Sequence, residues 1–244
     1  MTPATDLHVM RQGDEIWIAG RVTDNREHSH HAMQVVWATE QAPARLSSGG
    51  TMWQAPTLLI EGRVPHTLEL PAGLMCLIQQ ESPRARRLRA RWLSETRVAT
   101  APPTTTPLTL DATSLLRREL AGDSEPEVGE AIDPRVSDVL SWLDTLENDA
   151  NWSAVSLDGA LSRVHLSKSR FLHLFSQHVG TPWRSYLIWR RALVAITLAS
   201  KGASLTEAAH AAGYADSAHL SRQCLDLFGF SPSDIVNSSQ FLQF

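Results

Sequence analysis

Histidines supply the first chemistry legible in this chain of 244 residues. The run Arg26-Glu27-His28-Ser29-His30-His31-Ala32-Met33-Gln34 is followed, thirty residues on, by Val64-Pro65-His66. Imidazoles and an amide can hydrogen-bond, line a pocket or ligate a metal. Metal sites prefer anionic or imidazole ligands, and Gln34 brings only a neutral, weaker one, so no metal is expected. His28, His30, Gln34 and His66 are expected instead as hydrogen-bonding groups in loops or at a barrel mouth. They are also the first candidates for contact with a small-molecule effector.

A second group is cationic. Ser82 to Leu93 carries Arg84, Arg86, Arg87, Arg89 and Arg91, with Leu88 and Trp92 four apart as an apolar stripe. A solvated helix face, or a partner for nearby acids, is expected before a nucleic-acid contact; a dimer interface is the remaining use. The third feature is a pattern that occurs twice between Val155 and Phe228. An apolar run from Leu157 to Val164 leads into Ser167-Lys168-Ser169-Arg170-Phe171-Leu172-His173-Leu174-Phe175 and stops at Gly180. Leu205 to Ala212 then leads through Gly213 into Ser217-Ala218-His219-Leu220-Ser221-Arg222-Gln223-Cys224 and stops at Gly229. Short helix, tight turn, second helix capped by serine or aspartate, glycine stop: this is helix-turn-helix grammar, duplicated.

The elements that must position these residues fall into two classes. From Ile16 to about Gln80, short β-favouring runs (Ile16–Ile18, Met33–Trp37, Thr57–Ile60, Thr67–Leu70, Leu74–Ile78) are separated by Gly, Pro or Ser. Ser48-Gly49-Gly50 is a turn, Pro71 ends one strand, and His66, Leu68 and Leu70 share a face. Val98 to Pro107 reads as an extended loop, followed by a short helix from Leu110 to Leu120. Asp133-Pro134 starts a helix that keeps its apolar stripe to about Asn148. In the helix after Ser167, Phe171, Leu174 and Phe175 face the core. Thr181-Pro182 opens the longest helix, to about Ser200, and Pro232 opens a last short one. The fold class expected is α+β in two domains. Residues 1–95 form a small antiparallel β-barrel, residues 96–131 a linker with a short helix. Residues 132–240 form an all-α domain with two helix-turn-helix units joined by a long helix.

Composition narrows the function. A hydrophobic content of 43% supports real cores, and a net charge of −4 argues against indiscriminate polyanion binding. Cys76 and Cys224 have no metal or redox spacing and suit a reduced cytoplasmic setting. The first fifteen residues lack a signal-peptide core, and Arg190 and Arg191 interrupt the most apolar later stretch, so no membrane association is expected.

Two resemblances sharpen this. The histidine run and Val64-Pro65-His66 resemble the two metal-binding motifs of the cupin barrel, with Gln34 where cupins carry a glutamate. Approximately residues 135–236 resemble the AraC/XylS family of transcription regulators. The resemblance is carried by Gly180-Thr181-Pro182, Tyr186-Leu187 through Arg191 to Ala195 and Leu198, Glu207-Ala208-Ala209, Gly213-Tyr214, Leu220-Ser221-Arg222 and Phe228-Gly229-Phe230-Ser231-Pro232. A cupin-like sensing domain ahead of such units is a common architecture of that family. It implies sequence-specific binding of double-stranded operator DNA, with Ser169, Leu172 and His173 of one helix and Ser217, Ala218, His219 and Arg222 of the other facing bases. Arg222 suits a guanine edge, Leu172 and Ala218 a thymine methyl, and Lys168 and Arg170 suit phosphates. Cys224, Asp226 and Val236 stand where the family more often has an aromatic, a lysine and a cationic residue. A small-molecule effector, a second subunit and RNA polymerase are the further partners implied; no cofactor and no catalytic residue are expected. The rival expectation is a metal-dependent cupin oxygenase or isomerase with a helical appendage, which stoichiometric metal on His28, His30 and His66 would favour.

Overall fold

The structure is a computed structural model that describes residues 8–22, 26–121, 131–148, 152–229 and 231–233. It divides into two compact units, one holding the strands and the first two helices, the other holding most of the later helices.

The first unit is an antiparallel, cupin-like barrel of eight strands: β1 (His8–Gln12), β2 (Glu15–Val22), β3 (Met33–Ala38), β4 (Ala44–Ser48), β5 (Thr51–Ala55), β6 (Thr57–Ile60), β7 (Thr67–Ile78) and β8 (Val98–Ala101). Their order is β1-β2-β7-β3-β6-β8, with β4 pairing both β5 and β7. Alternation fixes which side faces in: Val35 and Trp37 on β3, and Leu74, Cys76 and Ile78 on β7, enter one core with Trp17 and Leu59. Trp17 and Trp37 stack there with ring centroids 5.4 Å apart. Burying each such side chain contributes roughly 1.5–3 kcal/mol.

Three findings differ from the sequence reading. Thr67–Leu70 and Leu74–Ile78 are one strand, β7, running through Pro71. Proline is tolerated because it falls where the β2 register slips, between Val22 paired with Leu70 and Gly20 paired with Gly73, so no ladder N–H is missed. Val98–Ala101 is an edge strand on β6 and not loop. The Ser48-Gly49-Gly50 turn joins β4 to β5, two strands the apolar pattern did not show, with both glycines at positive φ as a two-residue hairpin demands.

The arginine-rich segment forms α1 (Pro83–Trp92), started by Pro83 and by the Ser82 hydroxyl accepting from the Ala85 amide. Its cations serve the barrel. Arg84 Nη1 lies 3.0 Å from buried Glu15, and Arg89 pairs with Glu61 at 2.7 Å. Arg117 of α2 (Thr113–Ala121) reaches the other oxygen of Glu15 at 2.8 Å. One buried carboxylate thus ties both helices to β2, and Leu88, Leu116 and Leu120 complete the core.

The second unit contains α3 (Pro134–Asn148), α4 (Leu157–Val164), α5 (Lys168–Val179), α6 (Trp183–Ser200), α7 (Leu205–Ala211) and the first half of α8 (Ser217–Phe228), whose residues from Cys224 on group with the first unit. α3 packs on α4 and α5, α5 on α6, and α6 on α7. Gly159 is required where α4 meets α3, since a Cβ there would stand 2.9 Å from the Trp142 ring. Phe171 and Phe175 of α5 meet Trp183 and Tyr186 of α6 at centroid distances of 5.0 to 5.4 Å. Leu174, expected in the core, is only half-buried. α6 has 18 residues and so spans ~27 Å. Pro232 and Ser233 are helical, while the rest of that expected helix lies outside the described residues.

Candidate nucleic-acid interface

In the first helix-turn-helix unit, the Ser156 hydroxyl caps α4 by accepting from the Gly159 amide at 3.0 Å. α4 ends on His165 in the left-handed conformation (φ 50°), and the chain turns into α5. Ser167 occupies the cap position of α5, but its hydroxyl faces Ser169 Oγ at 3.5 Å and takes no backbone amide. Phe171, Phe175 and Val179 are buried, which leaves Lys168, Ser169, Arg170 and His173 exposed and Leu172 half-buried. These side chains therefore share the outer side of α5.

The second unit repeats the plan with different parts. Ser204 and Glu207 form a reciprocal capping box at the start of α7. Gly213 supplies the left-handed turn (φ 80°), and Asp216 Oδ1 accepts from the His219 amide at 2.6 Å to cap α8. Leu220, Cys224 and Leu227 are buried; Ala218, His219 and Arg222 are exposed, with Ser217 and Gln223 half-buried. The His219 ring meets Tyr214 edge-on at 5.1 Å, which fixes its direction. Burial pushes the Cys224 thiol up to about 12, so it serves as a small, protonated core residue.

Beside α8 lies a hollow of about 370 Å³ lined by Arg184, Leu187, Ile188 and Arg191 of α6 together with Tyr214, His219 and Gln223. Sequence reasoning treated α6 as a strut and missed these two arginines. Their spacing of seven, two helical turns on one face, was the available signal. Arg190, between them in sequence, is withdrawn. It is buried, with Nη1 donating to the Tyr186 hydroxyl at 3.0 Å, Nη2 to Asp144 at 2.8 Å and Nε to Glu147 at 3.0 Å. Burial opposes its charge, but Tyr186, Glu147 and Asp144 outweigh that and hold it charged.

In the barrel, the sequence candidates come together. His28 and His66 face each other across a two-hydrogen-bond main-chain bridge (3.0 and 2.9 Å), with ring centroids 4.4 Å apart. His30 stands edge-on to His66, and Gln34 Oε1 lies 3.2 Å from His30 Nε2 and 3.1 Å from His66 Nε2. All four residues are buried. The three histidines lie in connecting segments outside the strands, but the 26–31 segment runs against 64–66 and turns their rings inward, so they are buried. Burial lowers the affinity of all three imidazoles for protons: His28 falls to about 4, helped by the neighbouring His66. They are neutral at pH 7. Ile18, Val22, Leu68, Met75 and Leu77 lie beside them.

Two helix-turn-helix units on one long helix, carried with an antiparallel barrel, define a DNA-binding regulator of two-domain type. The helix-turn-helix domain family matches residues 161–238. The chain is similar in fold to ToxT from Vibrio cholerae. An apo variant from strain SCE256 is 10% identical, with 94% of this chain and 99% of that one covered at a TM-score of 0.56. ToxT from strain O395 is 11% identical, with 98% of each chain covered at a TM-score of 0.53. No curated relative matches the sequence. The chain is a DNA-binding transcription regulator with a helix-turn-helix domain. Among the described residues no helix is long and apolar enough to cross a membrane.

Proposed function

We propose that α5 and α8 are the two recognition helices and that the barrel takes the signal that controls them. The observation that carries this is the repeated division of labour: corresponding apolar positions are buried in both helices, leaving polar faces of the same hand outward. Ser169, Leu172 and His173 of α5, and Ser217, Ala218, His219 and Arg222 of α8, are the base-facing set. Arg222 takes a guanine by two parallel hydrogen bonds, and Leu172 and Ala218 offer apolar contact to thymine methyls. Lys168 and Arg170 hold phosphates and set register. Basic and acidic side chains are equal in number between residues 135 and 236, and Arg190 is internally paired. Counterion release is therefore modest, and affinity rests on base contacts more than on charge.

A strut of ~27 Å places two heads on successive major grooves, about 34 Å apart on one face of the duplex. Selection from a random oligonucleotide pool by the full chain at low salt tests this. Enrichment of a bipartite site with a spacing near one helical turn is expected; no enrichment would end the proposal. A second copy of the chain and RNA polymerase are the protein partners, and the setting is the cytoplasm, where the chromosome is. The enzyme alternative draws nothing from the helical unit, which is a DNA-binding domain and not an appendage. On the sensing side, His66→Ala is expected to leave operator binding intact while altering its response to the signal. An unchanged response would remove His66 from the sensing site.

A further inference from the structure

We infer that the hollow beside α8 seats one strand of the duplex's sugar–phosphate backbone, and that Arg184 and Arg191 of α6 hold its phosphates. α6 is then a working part of the interface as well as the spacer between the heads. The inference rests on the proposed DNA-reading function and names a contact of that same face.

Arg184 and Arg191 stand seven residues apart, two turns along one side of α6, and both line the hollow. Arg190 shows what a structural arginine in this helix looks like: it is buried and paired with Asp144 and Glu147. Its neighbours differ. Arg184 is exposed, Arg191 is half-buried, and neither is paired with an acid among the described residues. Arg191 Nε is shut off from solvent without a hydrogen-bond partner, which costs free energy until an acceptor arrives. A phosphate taken by two parallel N–H donors, Nε among them, supplies that acceptor. The guanidinium is also held in place, because it lies along the turn of the second helix-turn-helix unit. A Cβ on Gly213 would stand 3.7 Å from Arg191 Cζ. Arg184 occupies the first turn of α6, which contains no acid, at the end where the helix dipole disfavours a cation. An anion in the hollow satisfies both arginines.

The placement of α8 says which anion. An α-helix is about 10–12 Å across and the major groove about 12 Å wide, so a helix that enters the groove has a backbone strand against each flank. Ala218 and Arg222, one turn apart, form the exposed crest that meets bases. His219 and Gln223, also one turn apart, lie next round the helix and line the hollow. What lies beside the bases on that flank is sugar and phosphate, and the wall facing it across the hollow is α6.

Size and lining agree with this occupant. A volume of about 370 Å³ exceeds what a bare phosphate needs and admits a phosphate with its flanking sugar. Leu187 and Ile188, between the two arginines, give the sugar an apolar floor. The second head also lacks backbone contacts of its own. α5 carries Lys168 and Arg170 and no acid, whereas on α8 Arg222 is offset by Asp226. Arg184 and Arg191 supply from α6 the charge that α8 does not.

The test uses the full chain and the operator it selects. Arg184→Ala/Arg191→Ala is expected to weaken binding to operator and to random duplex by the same factor, at least about fivefold, without changing the selected sequence. The slope of log affinity against log salt is expected to fall by about 1.8, at about 0.9 for each phosphate released. Replacing single operator phosphates with neutral methylphosphonates reads the location. One or two positions beside the α8 half-site are expected to weaken the wild type and to leave the double variant unaffected. Arg184→Ala alone guards against misfolding: it is expected to keep the wild-type Tm and show a fall in slope of about 0.9. Unchanged slopes, with the wild type still selecting its operator, overturn the clamp and leave the DNA-reading function standing. An altered base preference overturns it too, since the pair would then be readers. So does a changed response to the signal at unchanged slope, the mark of a small organic anion in the hollow. A wild type that selects no operator ends the DNA-reading proposal and this one with it.

Discussion

The two helix-turn-helix units share a plan and differ in nearly every part that executes it. α5 presents Lys168 and Arg170 with His173 on its outer side and is anchored by large rings: Phe171, Phe175, Trp183 and Tyr186. α8 presents Ala218, His219 and a single arginine, and its inner side is built from Leu220, Cys224 and Leu227. The first turn forces His165 into the left-handed region, where the second uses Gly213. The Ser167 side chain makes no cap, whereas Asp216 and the Ser204–Glu207 box cap both helices of the second unit. Duplication preserved the geometry while the chemistry diverged. Under the proposed function the first unit supplies more of the phosphate contacts, through Lys168 and Arg170, and the second supplies the arginine placed for a guanine, Arg222.

The largest effect that would break this comparison comes from Arg190→Ala. It takes the buried guanidinium away from Tyr186, Asp144 and Glu147 and removes the tie between α3 and α6, at a cost of about 3–5 kcal/mol. Urea unfolding followed by helical circular dichroism measures it, and a loss below ~1 kcal/mol would show that the ring cluster alone holds the first unit. Next, Arg222→Ala is expected to cost about 1–3 kcal/mol on the operator and to relax preference at one base pair. Equal weakening on operator and random DNA would move Arg222 to the phosphate set and erase the proposed difference between units. His165→Gly should stabilise the first turn by up to about 1 kcal/mol, the relief of a left-handed residue less the added chain entropy of glycine. A destabilised variant would mean that the imidazole makes a contact worth more than the strain. Smallest is Lys168→Ala, expected to reduce the slope of log affinity against log salt by about 0.9 while leaving the preferred sequence unchanged. A changed sequence preference would make Lys168 a reader.

Much of the helical unit was legible because local signals agree there. Ser156, Gly180, Gly213 and Asp216 punctuate apolar stripes of period 3.6, and each element begins or ends within a residue or two of its signal. The barrel was harder. Pro71 reads as a strand end, and only the slipped register on β2 shows why the strand continues. Val98–Ala101 has no alternation to betray an edge strand whose pairing partner lies forty residues earlier. Arg190 showed in the sequence only as a charge interrupting an apolar stretch, because its acids lie more than forty residues away on α3. The histidines were found by type, but their convergence depends on a bridge between residues 28 and 66 that no local pattern announces.

The length of α6 has a consequence of its own. A rigid rod of 3.6 residues per turn couples distance to angle, so one inserted residue would swing the far head by about 100° while advancing it only ~1.5 Å. A pair of heads that must meet the same side of a duplex tolerates almost none of that rotation. Insertions of seven residues, close to two whole turns, would nearly restore the phase yet overshoot the reach by ~10 Å. Under the proposed function, the spacer between the heads is therefore fixed in both length and phase.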